Sequence, residues 1–171
     1  MILCRAGPRT FKAEAETSAA CRSLNVCPFG RDFLLVGCDD GSVRLHSTFN
    51  ERPLITWQGT VDEAPIVSIV WSMFRPCVFF VLDSKSRIHL WDLGAGDIYP
   101  AHTVQLSKVT RGLASSKMRH LDRAAGSQQS LAFAFLDGTV QVHRLKSEYV
   151  AEDRQAFDKE LNRFLHYVSI I

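Results

Sequence analysis

The stretches FLLVGCDDGSVRLHS (Phe33 to Ser47), VFFVLDSKSRIHLWD (Val78 to Asp92) and LAFAFLDGTVQVHRL (Leu131 to Leu145) repeat one pattern: an apolar strand, a polar turn and a second apolar strand. Aligned on their second strands, Val43, Ile88 and Val140 fall in register, 45 and then 52 positions apart. A period of roughly 40–45 residues with several strands per unit is the mark of a β-propeller blade. That pattern points toward a scaffold that binds other proteins and away from a catalytic pocket.

Working outward, each unit predicts up to four strands. In the first, Ser23–Val26 alternates, Pro28 and Gly30 break it, Phe33–Gly37 is a short buried run, Val43 and Leu45 alternate with polar neighbours, and Leu54–Trp57 closes the unit. Asp39-Asp40-Gly41 reads as a turn, because Gly accepts a positive φ and Asp bonds its own backbone. The second unit runs Ile66–Trp71, Cys77–Leu82, Ile88–Trp91 and Thr103–Leu106. Ser23 and Ser68, both on first strands, are again 45 apart, so the register spans the whole unit. The third unit is expected to start near Val109–Ala114, carry an insertion over about Ser115–Gln129, and continue as Ser130–Phe135 and Thr139–Val142. No fourth strand follows Leu145.

Ser147 is the expected cap of a C-terminal helix, with Glu148, Glu152 and Asp153 near its positive end. Phe157, Leu161, Phe164, Leu165 and Val168 form one apolar stripe on it. The stripe either packs on the flank of the sheets or docks another chain. The reading is therefore all-β: a partial β-propeller of about three blades (22–146), preceded by a poorly ordered tail (1–21) and followed by an amphipathic α-helix (147–171).

Composition narrows the function classes. Net charge is +2, from 20 basic and 18 acidic residues, which offers no electrostatic basis for a nucleic-acid partner. The longest apolar run near the middle, Cys77 to Leu82, is far short of the ~20 residues that span a bilayer, so no membrane insertion is expected. The five cysteines are odd in number and none forms a C-x-x-C pair, which suits a reducing compartment. No G-x-S-x-G, phosphate-binding G-x-x-x-x-G-K or H-E-x-x-H occurs, and Gly94-Ala95-Gly96 lacks the third Gly of a dinucleotide loop. The chain is expected to be no enzyme and to need no cofactor or metal. His46 and His143 share the repeat position of Trp91 and are expected to pack there. Arg44, Arg87 and His89 lie on third strands, with stems laid along a neighbouring blade or heads offered to a partner. Arg111, Lys117, Arg119, His120 and Arg123 form a loose basic cluster around the insertion, which is either solvated or a surface for an acidic partner.

The segment RIHLWDL (Arg87 to Leu93) resembles the strand that closes a WD repeat, with Trp91-Asp92 as its signature dipeptide. Asp40-Gly41 and Asp137-Gly138 match that family's turn. The likeness covers about 22–145 and has departures: His46-Ser47 and His143-Arg144 replace Trp-Asp, Ser86 stands where Gly is usual, and the opening Gly-His is missing. Two longer stretches, FLLVGCDDGSVRLHSTFNERPL (Phe33 to Leu54) and RPCVFFVLDSKSRIHLWDL (Arg75 to Leu93), resemble the C-terminal propeller of dynein intermediate chains, of the ciliary dynein-2 type.

That resemblance implies a non-catalytic scaffold whose propeller docks on a dynein heavy chain, alongside other dynein subunits, for retrograde transport in cilia and cilium assembly. It also implies a place in the cytoplasm, on the cytoskeleton and in the cilium, at basal body and axoneme. The alternative is a WD-repeat adaptor in another assembly, such as a ubiquitin ligase or trafficking complex. The repeat-signature residues are Asp40, Gly41, Trp91, Asp92, Asp137 and Gly138. Candidate partner residues are Arg111, Lys117, Arg119 and Arg123 with Phe157, Leu161 and Phe164 of the helix. With two complete units and one lacking its outer strand, the chain is expected to behave as a fragment of a longer parent. It would then have an unpaired edge near Thr139–Leu145, uncovered faces near Leu24–Leu45, and a need for the missing blades.

Overall fold

The structure, a computed structural model, describes residues 19–58, 62–106, 115–121, 129–146, 149 and 153–171. Among these, three antiparallel sheets form, and strands adjacent in sequence are neighbours in each. Sheet 1 holds β1 (Cys21–Val26), β2 (Phe33–Cys38), β3 (Val43–Ser47) and β4 (Ile55–Trp57). Sheet 2 holds β5 (Ile66–Trp71), β6 (Val78–Asp83), β7 (Arg87–Asp92) and β8 (His102–Gln105). Sheet 3 holds β9 (Ser115–Leu121), β10 (Ser130–Phe135) and β11 (Val140–Arg144). One helix, α1 (Arg154–Ile170), follows.

The three hairpin turns are one device used three times. Gly41, Ser86 and Gly138 all have positive φ (80°, 57° and 87°), and each donates its N–H to the carbonyl three residues earlier. Asp40 and Asp137 stiffen their turns by accepting from the backbone and hydroxyl of Ser42 and Thr139 at 2.6–2.9 Å. In sheet 2, Ser86 takes the left-handed position usually given to Gly, a conformation that costs a residue with a Cβ about 1–2 kcal/mol.

Sheet 2 is covered on both faces. Against sheet 1 it packs Ile66, Ile69, Trp71, Phe79, Val81 and Trp91 onto Leu35, Val43, Leu45 and Trp57. Against sheet 3 it packs Val70, Phe80, Leu82 and Leu90 onto Met118, Leu131, Phe133 and Phe135. Every residue of β6 is buried, which explains its unbroken apolar run. Trp91 stacks on Phe79 (ring centroids 5.8 Å apart, planes 5° apart) with Trp57 tilted beside both. Gly37 lets β2 approach β5: a Cβ there would collide with Ile66 Cγ2.

Two expectations are corrected, and two others fall on residues outside the described ones. Ser115–Leu121 is a strand, not part of an inserted loop: its sequence SSKMRHL has no apolar alternation, and pairing with β10 makes it a strand. Val109–Ala114, the expected first strand, lies outside the described residues. Val140 and Val142 are exposed, because β11 is the last strand of its sheet and no described sheet covers its outer face. The described helix begins at Arg154, where Asp153 Oδ1 accepts from Ala156 N at 2.7 Å; Ser147, the expected cap, is outside the described residues.

Replacing Gly37 by Val should lower the unfolding free energy by about 1–3 kcal/mol, the usual result of overpacking. Val itself favours strands, so the loss would report the collision with Ile66. Denaturant titration checks this, with Gly96→Ala, which meets nothing within 4 Å, as the neutral control.

Candidate functional site

The two ends of strand β7 carry the most developed polar structure. At its C-terminal end the signature dipeptide divides. Trp91 points into the seam between sheets 1 and 2, while Asp92 faces outward and accepts from Arg75 Nη2 at 2.9 Å. The same guanidinium grips Glu160 of α1 through Nη2 (3.1 Å) and Nε (3.3 Å), a two-pronged geometry that only Arg offers. Asp92 also accepts from Gly94 N at 2.9 Å, closing the turn. Arg75 therefore ties the repeat signature to the helix. Cys77 lies beneath, its thiol 3.6 Å from the Glu160 carbonyl; burial, then the Glu160 and Asp92 carboxylates, push it up to about 12. Such a thiol is inert packing. Arg75, Asp92, Gly94, Ala156, Glu160 and Arg163 line an open cleft of about 740 Å³ here.

At the other end a buried carboxylate gathers donors. Asp83 is fully buried and accepts from Arg87 Nε (2.6 Å), from the backbone of Lys85 and Arg87 (2.9 Å each), and meets His89 Nε2 at 3.0 Å. His89 Nδ1 reaches Thr103 Oγ1 of β8 at 3.0 Å. Arg87 and Lys85 also bind Asp62 at 2.7 and 3.2 Å. Burial works to raise the Asp83 carboxyl, but the bonds from His89 and Arg87 outweigh it and hold it below its ordinary 3.8. This cluster was not singled out from sequence. The available signal was Lys85, which stands at the turn position of Asp40 and Asp137; a turn lacking its own acid needs one from elsewhere.

The remaining sequence candidates separate. Asp40, Gly41, Asp137 and Gly138 are turn residues, as their hydrogen bonds and φ values show. Arg44 is buried and sits 3.5 Å from Asp40. His46 is buried, and burial, then Arg44, lowers its imidazole; His143 packs edge-on against Phe133. Phe164, offered as a partner residue, is instead buried between Phe33 and Trp71 with both rings edge-on, and Phe157 packs on Phe29. Leu161 is half-buried. The stripe thus serves this chain's own sheets. Lys117 and Arg119 lie on β9, while Arg111 and Arg123 fall outside the described residues. Among the described residues no three His, Cys, Asp or Glu side chains converge as metal ligands, and no helix is long and apolar enough to cross a membrane.

The class defined so far is a repeat protein of stacked antiparallel sheets, and comparison with known proteins refines it. No protein-family model matches the chain. It is 32% identical over 151 residues, 87% of its length, to human cytoplasmic dynein 2 intermediate chain 1. The mouse protein of that name is 34% identical over 147 residues, and human cytoplasmic dynein 2 intermediate chain 2 is 31% identical over 137. The chain is thus homologous to part of the dynein-2 intermediate chains. It spans 14% of the length of the human intermediate chain 1 and 24% of the human intermediate chain 2.

Two outcomes follow from this geometry. Arg75→Met should leave two half-buried carboxylates facing each other, cost about 1–3 kcal/mol, and speed amide exchange across Arg154–Ile170; adding Glu160→Gln should recover part of the loss. The depressed Asp83 adds stability that is complete above the unfolded carboxyl value of about 3.9 and drains away as pH falls through the lower folded value. Asp83→Asn, followed by denaturant midpoints across that acid range, should show a shallower loss than the parent.

Proposed function

We propose that this chain is a non-catalytic scaffold: about three blades of a WD-repeat propeller that dock on a dynein heavy chain, within a motor assembly for intraciliary retrograde transport. The observation that carries this reading is the homology to dynein-2 intermediate chain 1 across 85–87% of the chain. The three successive sheets, with their turns in equivalent places, suit propeller blades. The polar clusters on β7 suit a scaffold as well, since each named carboxylate is already held by a cation or by backbone N–H groups. Other dynein subunits are the proposed neighbours; cytoskeleton and cilium, including basal body and axoneme, are the proposed location. The basic residues Arg111, Lys117, Arg119 and Arg123 are the proposed contact for an acidic partner.

Affinity purification of the tagged chain from ciliated cells tests the proposal. Dynein heavy chain should be enriched over a tag-only control. Recovery of ubiquitin-ligase or coat components without any dynein subunit would overturn it in favour of a general adaptor.

A further inference from the structure

Two cysteines face each other across the first strand pair. Cys21 of β1 and Cys38 of β2 are directly opposite in the register. Cys38 turns both of its backbone groups toward the β3 side: its N–H donates to the Ser42 carbonyl at 3.0 Å, and its carbonyl accepts from Gly41 N at 3.3 Å. Asp39, the next residue, turns the other way and donates to the Ala20 carbonyl at 3.0 Å, while its carboxylate accepts from Ala20 N at 2.7 Å. This alternation makes Cys21 and Cys38 a non-hydrogen-bonded pair, the kind whose Cα atoms lie about 4.5 Å apart and whose side chains come closer. A disulfide needs Cα atoms about 4.4–6.8 Å apart. The bulge between Cys21 and Ser23 leaves Arg22 as the extra residue and keeps the cysteines paired. Cys21 is exposed, and Cys38 is buried in a small cluster with Leu34 and Val36. Burial pushes the Cys38 thiol above its ordinary value, and charge on the nearby Cys21 adds to the rise. The other described cysteines, Cys27 and Cys77, belong to the separate cluster between sheets 1 and 2.

We propose that Cys21 and Cys38 are a redox modification site: a cross-strand disulfide that latches β1 to β2 when the chain meets a peroxide. Cys21, the exposed thiol, reacts first. Its thiolate sulfur attacks one oxygen of hydrogen peroxide and the O–O bond breaks, giving a sulfenic acid and a hydroxide that takes up the thiol's proton as water. The Cys38 sulfur then attacks the Cys21 sulfur. The S–S bond forms, the hydroxyl leaves, and with the Cys38 proton it becomes a second water. Two thiols lose two electrons and two protons, and one peroxide is reduced to two waters. A dithiol reductant reopens the bond by exchange, so in a reducing compartment the latch rests open. The strand it fastens matters to the stack. From β1, Ser23 Oγ accepts from Ile69 N at 3.0 Å and Asn25 Oδ1 accepts from Trp71 N at 2.8 Å, both donors on β5. Fixing the start of β1 therefore steadies the strand through which sheet 1 bonds to sheet 2. Both cysteines lie in one strand pair, so the inference rests on their pairing and is independent of any dynein partner.

Peptide mapping of the purified chain tests it. The reduced chain is treated with hydrogen peroxide, its remaining thiols are capped with N-ethylmaleimide in denaturant, and it is cut with trypsin without reductant for mass spectrometry. The peptide 13–22 should appear joined to the peptide 32–44, at a yield independent of protein concentration, and dithiothreitol should separate the two. Amide exchange over Cys21–Val26 should slow several-fold in the oxidised chain and recover on reduction. Cys21→Ser, at an exposed position, should abolish the joined peptide and leave exchange indifferent to peroxide, with circular dichroism checking that the fold persists. Absence of the joined peptide, a bond from Cys21 to Cys4 or to a second molecule in its place, Cys21 advancing to the sulfinic acid while Cys38 stays a thiol, or exchange unaltered by the bond would each overturn the proposal. Cys21→Ala repeats the test should Cys21→Ser not fold.

Discussion

The burial of sheet 2 on both faces is the constraint on which the rest depends. Sheet 1 rests on one face and sheet 3 on the other. Each large apolar side chain taken fully out of water contributes about 1.5–3 kcal/mol, and sheet 2 supplies Trp71, Phe79, Phe80, Trp91, Ile69 and Leu82, all fully buried. The seam with sheet 1 is the more aromatic, built on the Trp57, Phe79 and Trp91 group and on the close approach at Gly37. A charge buried in such a sheet is costly unless it is paired and hydrogen-bonded. Asp83, at the end of β6, is accordingly surrounded by four donors and further supported through Arg87 and His89.

What could be read in advance follows the same physics. The period of 45, the Asp-Gly turns and the apolar run of β6 were legible because each reflects a local rule repeated in register. Strand β9 was not, since SSKMRHL carries no apolar period; its strand state comes from pairing with β10. Val140 and Val142 alternate like core residues, and only the absence of a described neighbouring sheet leaves them in solvent. Ser86 in a left-handed turn also escaped the local rule: the tertiary structure, through Asp83 and the flanking strands, holds a conformation that the residue itself disfavours.

The polar sites were less legible than the fold because they join residues distant in sequence. Arg75 and Glu160 are 85 positions apart, and nothing in either segment announces the other. The helix stripe, by contrast, was visible as a stripe, but periodicity cannot say which surface it meets. The structure shows it sealing the edge of the seam, with Phe164 against Phe33 and Trp71 and with Tyr167 donating to Asp97 at 2.8 Å.

The division of the Trp91-Asp92 dipeptide joins these threads. Its two side chains necessarily point to opposite faces of the strand. One becomes part of the aromatic seam and the other an anchor for Arg75, and through Arg75 for the helix. The anchor and the seam are therefore coupled through two adjacent backbone units. Any shift of β7 that loosens the stack on Phe79 also moves Asp92 relative to Arg75, and any withdrawal of the helix uncovers the rim of the seam where Phe164 sits. The terminal helix thus acts as a brace on the sheet that the other two sheets share, and its stability and that of the sheet stack should rise and fall together.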